Sequence, residues 1–115
     1  MFSAKKSSSI SKKLVNKIHN FNNLSNKDKR IVERDVALFC LELIAKVNEK
    51  KMSLQDAATS MTEYFFHVDF NPILKKAFFI SKELKLQKHY FSSKERAVLW
   101  EQLNEYFKKV AGIDD

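Results

Sequence analysis

The sequence predicts an all-α protein: one compact bundle of about five helices around a long apolar helix at about residues 26–50. Three observations carry this. Glycine and proline occur once each in 115 residues, too few for the turns of a hairpin-rich β protein. A serine followed three residues later by an acid recurs at Ser25–Asp28, Ser53–Asp56 and Ser92–Glu95. In that pattern the hydroxyl takes an orphan amide of the first helical turn, and the acid reaches back and suits the positive helix end. Between these marks the apolar residues repeat at intervals of three and four, the helical period.

The first segment, 10–22, shows Ile10, Leu14, Ile18 and Phe21 on one stripe. The second, 26–50, opens at Ser25 and is apolar around most of its circumference from Val36 to Val47. A helix apolar nearly all round is surrounded by others, so this one is expected at the centre. The third, 54–68, opens at Ser53 and carries Leu54, Ala57, Ala58, Met61, Tyr64, Phe65 and Val68. The fourth, 72–88, opens on Asn71-Pro72, where Asn caps and Pro fills the first helical position without losing a hydrogen bond. Its core stripe is Ile73, Leu74, Ala77, Phe78, Ile80 and Leu84. The fifth, 93–111, carries Leu99, Trp100, Leu103, Tyr106, Phe107 and Val110 and closes on Gly112 as a left-handed cap. No linker or repeat divides the chain. Residues 10–115 read as one helical domain, and residues 1–9 as a mobile Ser/Lys-rich arm. The arm lacks the apolar stretch of a secretory signal; being Ser-rich, acid-free and amphipathic it also fits a mitochondrial transit peptide, although those favour Arg and no Arg precedes Arg30.

The same counts exclude classes of function. A single glycine leaves no G-x-G-x-x-G motif and no Walker loop, since both bring backbone against phosphate through several glycines. One cysteine, Cys40, forms no intramolecular disulfide and no Cys-based zinc site, and it fits a reducing, cytoplasmic compartment. Inside the most apolar run it reads as an inert buried thiol. His67, Asp69 and His89 are the only grouping to test as a reactive site. His67, near the end of a helix, reads first as a cation favouring the negative end of the dipole. No spaced His/Cys/acid constellation accompanies them, so the expectation is a non-enzymatic protein with no cofactor and no metal.

The formal net charge is +7, which suggests an acidic partner or a solvating lysine surface. The excess is local: +5 over residues 1–24, from Lys5, Lys6, Lys12, Lys13 and Lys17, and +3 over residues 69–91. Only three of the bases are Arg, the residue whose planar fork reads bases and phosphates.

Two surfaces stand apart from the core stripes. On the fourth segment, at about 100° per residue, Lys75, Phe79, Lys82 and Leu86 form one outward line of base, aromatic, base and aliphatic. Phe66 on the third segment also falls off its stripe. Exposed apolars grouped in this way mark a partner surface, unless the short first helix covers them. On the second segment, Asp28, Asp35, Glu42 and Glu49 recur every seven residues, with Lys46 among them. Neighbouring carboxylates are then about 10 Å apart, too far to share one metal ion. The line is either the helix's water-facing edge or a docking stripe for lysines of the arm or of another chain.

The function expected from these features is a small protein-interaction or accessory, regulatory subunit acting through the basic-apolar surface, with a homodimer as the simplest form. Sequence-nonspecific nucleic-acid binding through the lysine arm and fourth helix is the alternative. Peripheral attachment to an anionic membrane by the arm and first helix is the third; no apolar run is long enough for integral membrane association.

Overall fold

The structure is a computed structural model that describes residues 11–65, 68–86 and 91–113. Among the described residues the chain forms five α-helices: α1 (Lys12–His19), α2 (Asn26–Asn48), α3 (Leu54–Phe65), α4 (Pro72–Leu86) and α5 (Ser93–Ala111). A short 3₁₀ turn, Phe21–Asn23, joins α1 to α2.

The helix starts follow the sequence. The amides of Asp28, Asp56 and Glu95 donate to the hydroxyls of Ser25, Ser53 and Ser92 at 3.1, 3.0 and 3.1 Å. Only the last is reciprocal: Glu95 Oε1 accepts from the Ser92 backbone N–H at 2.9 Å. Glu has the extra methylene that reaches back to the cap; the shorter Asp residues do not complete the box. Asn71 Oδ1 accepts from Leu74 N at 2.9 Å and caps α4. Each such cap contributes about 1 kcal/mol. Gly112 lies at φ 75°, and Ile113 N donates to Lys108 O at 3.0 Å, closing α5 in a Schellman turn.

The first segment is shorter than its apolar stripe suggests. Instead of continuing to residue 22, α1 stops at His19. The Asn20 amide and side chain both donate to Asn16 O, at 3.2 and 3.0 Å, and the chain then tightens into a 3₁₀ turn through Asn23 N to Asn20 O at 3.0 Å. Phe21 is nevertheless buried, now from the 3₁₀ turn.

Four helices make the bundle. α2 and α4 each pack against both α3 and α5, so they lie diagonally across it; α1 packs mainly on α2. The core holds Val32, Val36, Cys40, Leu43, Met61, Leu74, Leu84, Leu103 and Phe107, all essentially inaccessible. A run of rings crosses it: Phe21 to Phe70 at 5.0 Å, Phe70 to Phe78 at 5.8 Å and Phe78 to Phe107 at 5.7 Å between centroids.

The enclosure of α2 is incomplete. A 23-residue helix is roughly 35 Å long, while the eight residues of α1 span roughly 12 Å. α1 therefore covers about a third of the outer side. Ile31 stays 45% exposed and Ala45 is also exposed, while Leu38, at the edge of α1, remains 37% exposed. The water-facing edge is thus wider than the acidic line alone.

Candidate functional site

The outer face of α4 is fixed by what lies beneath it. Leu74, Ala77, Phe78, Ser81 and Leu84 are buried, and they set the rotation of the helix. The Ser81 hydroxyl donates to Ala77 O at 3.0 Å and meets Met61 Sδ at 3.3 Å. At the far end Gln55 Nε2 donates to Lys85 O at 2.9 Å, satisfying a carbonyl of the last turn. At the near end the Glu33 carboxylate, buried on α2, accepts from Asn71 N at 2.7 Å. Held at both ends, α4 turns Phe79 and Leu86 directly away from the core. They are 60% and 61% exposed.

Lys75 is exposed beside them and pairs with Asp69 in the loop before α4. The hydrogen bond from the Lys75 ammonium, together with its charge, holds the Asp69 carboxyl below the usual aspartate range. Lys82 is half-buried rather than exposed, and it makes an interaction of its own. The expected line of four exposed residues is therefore Lys75, Phe79 and Leu86, with Lys82 leaning in at its edge. Lys76, Ile80 and Tyr106 surround Phe79 in a shallow recess. No residue of α1 lines this recess.

The second surface lies on the opposite side of the bundle. Asp28, Asp35, Glu42 and Glu49 run along α2, with Asp35 half-buried and the other three exposed. Glu49 pairs with Lys51 at 3.1 Å. Asp35 and Glu42 line a groove of about 360 Å³ between α1 and α2, with Leu14, Leu38 and Phe39 as its apolar lining. Lys13 and Lys17 form the far wall. The structure thus brings two lysines of the N-terminal basic cluster, both on α1, and part of the acidic line into one groove. Among the described residues, no ion pair joins either lysine to either acid. Lys12 is exposed on α1. Lys5, Lys6, Phe66, His67 and His89 lie outside the described residues.

Cys40 is fully buried, and burial pushes its thiol well above the ordinary value. It therefore stays protonated at neutral pH. Among the described residues, no three His, Cys, Asp or Glu side chains converge as metal ligands, and no helix is long and apolar enough to cross a membrane.

Sequence reasoning missed Glu33. It sits among Arg30, Arg34 and Asp35 and looks like another surface charge. Its angular position was the available signal: it projects between Val36 and Ala37, on the buried side of α2. The exposed Ile31 and Leu38 were missed for the converse reason, having been assigned to an enclosed helix. No family model, curated protein or solved structure matches the chain significantly.

Proposed function

We propose that the chain is a small, non-enzymatic protein-interaction subunit that acts by self-association through the outer face of α4. The observation that carries this reading is the outward pair Phe79 and Leu86. Each is more than half exposed, and they stand two turns apart on a helix anchored at both ends. Water contact over two such side chains is unfavourable by about 25 cal/mol per Å² of apolar area that a partner would cover. The neighbouring lysines keep the face soluble and favour an acidic rim on whatever covers it.

Light scattering over a concentration series tests the reading. The full chain is expected to exceed its monomer mass, and Phe79→Glu is expected to return it to monomer with an unchanged helical circular-dichroism spectrum. A wild-type chain that stays monomeric at all concentrations overturns it.

A further inference from the structure

Resting on that reading, we infer that the surface seated on α4 is the acidic-apolar outer line of α2 in a second copy of this chain. The resulting contact is head-to-tail.

The two lines match in sign and in period. On α4, Lys75 and Lys82 are seven residues apart, as are Phe79 and Leu86. On α2, Asp35 and Glu42 are seven apart, and so are Ile31, Leu38 and Ala45. Both apolar pairs therefore repeat over about 10 Å along the axis. Placing Phe79 and Leu86 over Ile31 and Leu38 covers the most exposed apolar residues of both helices at once. One flank of each line is complementary in charge: Lys75 and Lys82 on α4 against the acidic row on α2, whose opposite flank carries Lys27 and Arg34.

The flanks decide the orientation. Viewed from the N-terminus, the acids of α2 lie about 40–60° clockwise of its apolar line. The lysines of α4 lie about 40° anticlockwise of theirs. Two helices meeting face to face bring a clockwise flank against an anticlockwise one only when they run parallel. Parallel seating in that register therefore sets Lys75 toward Asp28 and Lys82 toward Asp35, the latter at the mouth of the groove between α1 and α2. Those two acids are free of ion pairs among the described residues. Lys13 and Lys17 on the far wall weaken the pull without closing it.

The fold then dictates the kind of assembly. α2 and α4 are diagonal in the bundle, and each buries the side facing the shared core, so their outer lines point in opposite directions. A contact between them uses two different patches and leaves one of each unfilled at the ends. Such heterologous contacts close into rings or grow as chains.

Analytical ultracentrifugation of the full chain, with and without single-face variants, tests this. Leu38→Glu and Ile31→Glu alter α2, and Phe79→Glu alters α4; all three sites are exposed, and circular dichroism checks the fold. The wild type is expected to grow past twice the monomer mass. Each variant alone is expected to be monomeric. An equimolar mixture of Phe79→Glu and Leu38→Glu is expected to reach twice the monomer mass and stop, because one intact α4 and one intact α2 remain. If both α2 variants associate like the wild type, the head-to-tail contact is wrong while self-association through α4 stands. If the mixture stays monomeric, α4 does not seat on α2. A monomeric wild type removes both readings.

Discussion

Replacing Glu33 by Ala tests how α4 is held in place. The carboxylate is 8% exposed, and its Oε2 accepts the Asn71 amide at 2.7 Å. Asn71 in turn caps α4 through Leu74 N. One carboxylate thus binds the backbone of the capping residue and places negative charge at the positive end of the helix. A hydrogen bond to a charged group contributes about 1.5–3 kcal/mol, and the dipole adds about 0.3–1 kcal/mol. Alanine's better helix propensity returns about 0.4 kcal/mol. The net expected loss is about 2 kcal/mol. In urea, where stability falls by about 1–3 kcal/mol per molar, the unfolding midpoint should drop by about 1 M. The melting temperature should fall by roughly 8 °C or more. Glu33→Gln keeps an acceptor of the same shape and should lose about half as much. Circular dichroism at 222 nm and Trp100 fluorescence should report the same transition. A Glu33→Ala midpoint within experimental error of the wild type would refute the assignment of Glu33 as the anchor of α4.

Two further outcomes follow from local geometry. Lys50 ends α2 at φ 61°, with its amide on Val47 O and the Lys51 amide on Lys46 O; this is a Schellman turn that glycine would fill without strain. The left-handed conformation costs an L residue about 1–2 kcal/mol, and glycine's extra unfolded-state freedom offsets about 0.5–1 kcal/mol. Lys50→Gly should therefore raise the urea midpoint, while Lys50→Ala should not; equal midpoints for the two would sink the argument. Asp69 should titrate, by NMR, below the ordinary aspartate range, and Lys75→Met should move it upward. Because its folded pKa is depressed, the stability it contributes is present above the unfolded pKa and is lost as pH falls through the folded value. The pair is exposed, so added salt should shrink the shift; a midpoint unmoved by Lys75→Met would remove the ion pair as its cause.

How much of this was legible in the sequence depended on the range of the interactions. Ser25, Ser53, Ser92, Asn71 and Gly112 mark helix ends through bonds within about four residues, so local pattern located them. The outward Phe79 and Leu86 were also legible, because a 15-residue helix with a clear core stripe fixes its own far side. Glu33 was not: its partner lies 38 residues away, and only the packing of α4 against the bundle shows that the carboxylate faces an amide. The end of α1 was hidden because the apolar period runs on to Phe21, while the backbone passes at Asn20 into a 3₁₀ turn that still buries Phe21.

The apolar circumference of α2 joins these points. A helix with hydrophobic residues all round needs neighbours on every side, but the pattern does not say whether one chain supplies them all. Here α3 and α5 take the inner side, and α1 is too short to take the outer one. What remains uncovered is an ordered line: Ile31, Leu38 and Ala45 one heptad apart, with Asp28, Asp35, Glu42 and Glu49 one heptad apart beside them. An ordinary solvent edge has no need of apolar residues in that register, whereas a seam between two helices is built from them. α4 carries the same heptad spacing with the opposite charge. On the proposed reading a second copy supplies the missing neighbour, and the lysines near α4 act on the α2 surface of that copy; on the alternative, the same lysines meet a polyanion and the α2 line stays open to water.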